Sequence, residues 1–270
     1  MVPLLIAADK PSDSPTVDRS ADTPDFCQVD PAGHLPRGGN SYCGPVATSN
    51  ALIYLARSGY PKLRPDARDD KSAQISLIQK IASPGFMNTD ENAGTGPTGV
   101  MKGIKKYVEA AGYRVNRIEF QGADKIKAFK CVAPIPTAAF LRDGLSTPNS
   151  AVLVNIAWKK LDPAKNIYTR IGGHWITIVG CGKNANGKYD PNAFTIHDPS
   201  PWSGMGFVTE HVTAEPIHGT FEIDKSNGQT ERRSAEGYLE FKGEIKLKAN
   251  ATAAVINRAV LIVLNPPHTD

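Results

Sequence analysis

The segment from Cys43 to Ser58, CGPVATSNALIYLARS, is apolar on nearly every side. A helix with one apolar stripe lies on a surface, whereas a helix apolar on most faces must be covered all round. Gly59 supplies the stop, because glycine readily takes the left-handed conformation that ends a helix. Whatever fold the chain adopts must therefore wrap a buried helix. Its 270 residues are enough to do so, as one large domain or two packed lobes.

Two further helices follow. Ser72–Ala82 carries Ile75, Ile78 and Ile81 or Ala82 on one face. A third runs from a Thr98 cap to Ala111, with Val100, Ile104, Tyr107, Val108 and Ala111 at helical spacing, and Gly112 ends it. The polar, glycine-containing loop Asn88–Gly99 reads as a binding rim or a mobile segment. Strands are expected at Tyr113–Phe120, Ala151–Trp158, His174–Cys181, Phe194–Asp198, Gly237–Lys248 and Ala259–Leu264. Helices first and strands second predict an α+β fold. The expected arrangement is a helical lobe over about residues 25–148 packed on an antiparallel sheet lobe over about 149–270.

Ahead of that domain, residues 1–24 read as a flexible leader or signal remnant. Met1–Asp9 holds a short apolar run that suits either a clipped secretory signal or a first strand, and Lys10–Pro24 is rich in Ser, Asp, Pro and Thr. The leader tilts the expected location towards secretion or the periplasm. With 31 basic and 27 acidic side chains the net charge is +4, and the short knots Lys102–Lys106 and Arg232–Arg233 are mixed with other residues. That is too diffuse for a nucleic-acid surface. No apolar run is long enough for a membrane-spanning helix, so membrane insertion is not expected. Cys27, Cys43, Cys131 and Cys181 form no close pair, which excludes the usual zinc spacings. If one of them is reactive, the other three allow at most one bridge.

Three segments carry chemistry: Asn40-Ser41-Tyr42-Cys43-Gly44-Pro45, Gly172-Gly173-His174-Trp175 and Ile196-His197-Asp198-Pro199. A thiol at the head of a buried helix meets unpaired N–H groups and a partial positive charge, both of which favour the thiolate. Gly44 leaves room for a substrate, and Pro45 fits a first turn that needs no N–H from it. A Cys nucleophile needs a base, and the base needs a group that orients it. His174 stands 131 residues beyond Cys43, behind two glycines that screen it little. Asn186-Gly187 predicts a hairpin turn between the strand that His174 begins and the one that ends at Asp198. That register sets residue 174 opposite 199 and Asp198 beside His174. His197 competes for the role, but neighbouring strand residues face opposite ways, so His197 and Asp198 cannot serve one site. Trp175 and Trp202 read as core or rim packing, with Trp202 a possible water shield for the His–Asp contact.

In this order and spacing, the Cys-Gly-Pro segment with Asn50-Ala51-Leu52 behind it, the Gly-His-Trp segment and the Asp-Pro pair resemble the papain-like cysteine peptidases. Within them, the chain is similar to the double-glycine (bacteriocin-leader) peptidase-like branch. The resemblance spans roughly Gly38 to Trp202. It implies a papain-like cysteine proteinase fold, a Cys43–His174–Asp198 triad, a peptide or protein substrate, and no metal or organic cofactor in a monomer. The family places a Gln six residues before its Cys as an oxyanion donor, and Arg37 stands there instead. Gln28, first, and Asn40 are the remaining amides. Two other functions stay open for such a site: amide transfer of the transglutaminase or phytochelatin-synthase type, and a binding module with little chemistry.

Overall fold

A computed structural model of the protein describes residues 16–124, 126–224 and 228–267. In chain order its strands are β1 (Val17–Asp18), β2 (Val115–Gln121), β3 (Lys130–Ala133), β4 (Ser150–Asp162), β5 (Ile167–Lys183) and β6 (Tyr189–His197). They continue with β7 (Glu210–Pro216), β8 (Thr220–Asp224), β9 (Thr230–Ser234), β10 (Leu239–Gly243) and β11 (Ala253–Leu264). Four α-helices accompany them: α1 (Cys43–Arg57), α2 (Asp70–Ala82), α3 (Pro97–Ala110) and α4 (Ala138–Ser146).

Six of the strands close on themselves. β4 pairs with β5, β5 with β6, β6 with β7, β7 with β10, β10 with β11, and β11 returns to β4, every pair antiparallel. The expected α+β fold, a papain-like helical lobe packed on an antiparallel sheet lobe, is therefore corrected. The molecule is mainly β, built on a closed six-stranded barrel. Closure depends on β4 finding both β5 and β11, and alternation within one strand carries no trace of that. Register shifts at Trp158/Lys159, Ile256/Arg258 and Ile178/Gly180 add the local twist that a small barrel needs.

Alternation decides which side chains fill the barrel. Val152, Val154, Ile156 and Trp158 of β4 point inwards with Ile176 and Ile178 of β5. Phe194, Val212, Phe241 and Ile256 from the other strands join them, and Leu141 and Leu145 of α4 pack on the same cluster. Ala151 and Leu153 point outwards, to a second core shared with α1, α2 and α3. All of Gly44–Ala56 except Tyr54 is buried there, as the all-round apolar helix requires. Thr177 ties that helix to β5 by donating its hydroxyl to the Ala47 carbonyl at 2.8 Å.

α2 begins two residues earlier than its pattern suggests, because Asp69 caps it by accepting from Ser72 N–H at 2.7 Å. Residues 16–24, assigned from the sequence to a flexible leader, are attached to the barrel. Val17 and Asp18 pair with Cys181 and Gly180, and Arg19 donates to the Ser150 carbonyl at 2.6 Å. The apolar opening Met1–Asp9 lies outside the described residues. Among the described residues no helix is long and apolar enough to cross a membrane. All four cysteines are free thiols, so the bridge allowed by their number is absent.

Candidate active site

Cys43 is the first residue of α1. Its N-cap, Tyr42, makes no side-chain cap, so the helix presents its leading N–H groups openly. The Gly44 N–H and the Trp175 N–H lie beside the Cys43 sulfur and favour its thiolate. Pro45 has no N–H to offer. The Cys43 N–H, which has no intrahelical acceptor by its position, remains at the mouth of the helix.

His174 lies on the inward row of β5 with Ile176 and Ile178, opposite Ile156 of β4. β6 ends at His197, and Asp198 follows. The pairs Thr177–His197 and Ile178–Ile196, extended along the strands, bring residue 174 opposite 200, one place from the expected register. His174 Nε2 meets Asp198 Oδ1 at 2.5 Å, with the two side chains 4% and 0% exposed. Its other ring nitrogen, Nδ1, is left for the sulfur of Cys43, and the thiol and the ring each favour the other's charged form. The Ser200 N–H donates to the same Asp198 oxygen at 2.9 Å. The structure thus brings Cys43, His174 and Asp198 together, with the imidazole hydrogen-bonded to the carboxylate and the thiol in its electrostatic reach.

Burial is the largest influence on both Cys43 and His174, and it opposes charge on each. For His174 it is overcome by the Asp198 carboxylate and the sulfur, so the imidazole pKa rises. For Cys43 it is overcome by His174 and the two backbone N–H groups, so the thiol pKa falls. These opposite shifts favour a thiolate–imidazolium pair, the reactive form of such a dyad.

The two amides considered as oxyanion donors separate. Gln28 is buried, and its Nε2 donates to the Gly39 and Asn40 carbonyls, both at 3.0 Å. It braces the turn ahead of Cys43 and does not line the cleft. Gly39 makes that bracing possible: at its φ of +80° a Cβ would lie 1.7 Å from the Gln28 carbonyl oxygen. Asn40 does line the cleft, its Nδ2 donating to the Arg37 carbonyl at 3.1 Å. Arg37 itself is exposed and reaches Asn92 Oδ1. The donors that an oxyanion at this site would need are the Cys43 N–H at the helix mouth and, as the side-chain amide in the cleft lining, Asn40.

His197 is turned away from the site. Its Nδ1–H donates to the Pro24 carbonyl at 3.1 Å, and burial pushes its pKa down to about 4, which keeps it neutral. Trp175 is buried, and its Nε1–H donates to the Thr95 carbonyl at 2.9 Å, which holds the 88–99 loop against the cleft. That loop forms one rim through residues 92–97.

Several contributors escape sequence reading. Trp158 stacks on the His174 ring, with centroids 5.8 Å apart and planes 21° from parallel, and Trp202 meets Trp158 edge-on at 6.3 Å. Trp202 thus acts at one remove, through Trp158. Asn155 donates from Nδ2 to the His174 carbonyl at 3.1 Å and accepts from Arg258 at 2.9 Å. Its place as a polar residue within the apolar run SAVLVNIAW was the one available signal. Behind Asp198 stand two more acids, Asp25 and Glu210. Glu210 is pushed up to about 8 by burial and then by the charges of Asp198 and Asp25, and Asp25 is pushed up to about 7, mainly by burial.

Among the described residues no group of His, Cys, Asp and Glu side chains is arranged to hold a metal ion. Compared with protein-family models and with curated proteins, the chain matches none of either.

Proposed function

We propose that the protein is a cysteine peptidase that cleaves peptide bonds through Cys43, His174 and Asp198. The observation that carries this reading is the His174 ring between a thiol at a helix head and a buried carboxylate 2.5 Å from Nε2. The motif order, which resembles that of papain-like cysteine peptidases, supports the same chemistry. The Cys43 thiolate attacks the substrate carbonyl carbon, and the developing oxyanion takes the Cys43 N–H. As the C–N bond breaks, the proton on His174 Nδ1 passes to the leaving amine, which leaves a thioester on Cys43. His174 then takes a proton from water, the hydroxide attacks the thioester, and the C–S bond breaks to return the thiolate and release a carboxylic acid. Asp198 keeps the ring in place and stabilises its positive form throughout.

The test is covalent labelling with a thiol-directed peptidyl inhibitor, with peptide turnover followed in ¹⁸O water. One labelled site at Cys43, absent in Cys43→Ala, and one heavy oxygen in the new carboxyl product are expected. Labelling that persists in Cys43→Ala removes Cys43 from the mechanism.

A further inference from the structure

The hollow over Cys43, about 470 Å³, has no Asp or Glu in its lining. Three cations line it: Arg170, Lys248 and Arg258. Arg258 is already engaged, gripping Asp124 through two nitrogens and Asn155 through a third. Arg170 and Lys248 have no ion pair among the described residues. Among the described residues, none of the acids of the adjoining hollow, Asp124, Glu222 and Asp224, forms an ion pair with either cation. Glu222 pairs with Arg232, and Asp224 accepts from Thr230. Lys159, next along that wall, is pushed down to about 8, first by burial and then by the charge of Arg170.

Both free cations lie over the glycine pair that leads into the base. A Cβ on Gly173 would fall 2.7 Å from an Arg170 guanidinium nitrogen, and one on Gly172 would fall 3.3 Å from Lys248 Nζ. Side chains at either position would push the cations off this floor. The absence of side chains there leaves room for two cations with no ion pair among the described residues, in the lining of the hollow over Cys43.

We propose that this cleft selects substrates carrying a carboxylate close to the scissile bond, held by Arg170 and Lys248. The guanidinium fork of Arg170 takes the two oxygens, and Lys248 adds a point charge. An acidic side chain and a free C-terminal carboxylate share this chemistry. The inference rests on Cys43 being the nucleophile, and its test separates the two.

The rate constants for alkylation of Cys43 by iodoacetate and by iodoacetamide are measured near neutral pH and low salt. The proteins are the full chain, Arg170→Gln, Lys248→Gln and the double variant. The ratio of the two constants cancels changes in the thiol's own reactivity, and the part of the anion preference due to the His174 imidazolium is common to all. The ratio is expected to fall about tenfold in the double variant, and in the unaltered chain as salt is added. If both reagents modify Cys43 with the same ratio in every protein, the carboxylate site is overturned and the nucleophile stands. If neither reagent modifies Cys43, both readings fall. Peptides then distinguish the sources. Faster cleavage of a C-terminally amidated peptide with Glu rather than Gln near the cut identifies a side-chain carboxylate. Faster cleavage of a free-acid peptide than of its amide identifies a terminal one. Equal rates across both comparisons overturn the proposal.

Discussion

His174 gives its two ring nitrogens opposite neighbours, a carboxylate at Nε2 and a sulfur on the other side, and the whole site depends on that division. With the Asp198 charge removed, the imidazolium loses its main support and the thiolate loses its counter-ion. Asp198→Asn is therefore expected to lower peptide turnover by about 10²–10⁴-fold. In the unaltered protein the Cys43 thiol pKa is depressed, so alkylation stays fast below the usual thiol range near 8.5. In Asp198→Asn the midpoint of the alkylation–pH profile moves upwards. A profile that is the same in both proteins removes Asp198 from the chemistry. These three residues were legible because each sits in a short motif whose local conformation can be read: a helix head, a strand behind two glycines, a strand end. Gln28 misled, since this amide, upstream of the expected position at Arg37, is spent on the Gly39 and Asn40 carbonyls. Nothing in its neighbours announces that the chain folds back there.

At the scale of elements, α1 was the most readable piece, since an apolar surface on every side admits one outcome. The hairpin of β5 and β6 was readable too, because Asn186-Gly187 and the alternation of both strands fix the register to within a place. β5 nonetheless starts at Ile167, seven residues before the expected His174, and runs straight through Gly172 and Gly173. Pairing with β4 on one side outweighs the weak strand preference of glycine. β7, β8 and β9 were missed because each is short and carries two apolar residues or fewer, as in EHVTAEP and TERRS, too few to mark a strand without their ladder partners. Trp158 joins these elements to the site. It fills the barrel interior and stacks on His174. Trp158→Ala should cost about 3–5 kcal/mol in urea unfolding, the usual penalty for emptying a large aromatic site. It should also slow Cys43 alkylation under conditions where the protein remains folded, because the imidazole loses the surface that holds its plane. Trp158→Phe, which keeps a ring there, should restore most of the rate. Full reactivity in Trp158→Ala would show that the stacking does not position the base.

For the molecule as a whole, the acids behind the triad make stability depend on pH. Glu210 is 2% exposed, donates nothing when ionised, and takes a single hydroxyl, from Ser203 Oγ at 2.6 Å. Its second oxygen, one oxygen of Asp25 and one of Asp198 have no hydrogen-bond partner among the described residues. Three such carboxylates near one another cannot all ionise cheaply, so the proton stays longest on Glu210, with a folded pKa of about 8, and next on Asp25, at about 7. In the unfolded chain these groups titrate near 4. Between those values the folded state binds more protons than the unfolded state, so unfolding becomes easier as pH rises. The stability held at pH 4 is expected to decline through neutrality and level off above about pH 8, by a few kcal/mol in all. Chemical denaturation across that range measures it. Glu210→Gln keeps the shape and a carbonyl oxygen that accepts from Ser203 but cannot ionise, so its decline with pH should be visibly shallower. The same substitution removes a charge that competes with His174 for influence over Asp198. The alkaline limb of the peptide turnover expected from the proposed function should therefore move along with the stability curve if Glu210 ionises in the folded protein, and stay where it is if the proton never leaves.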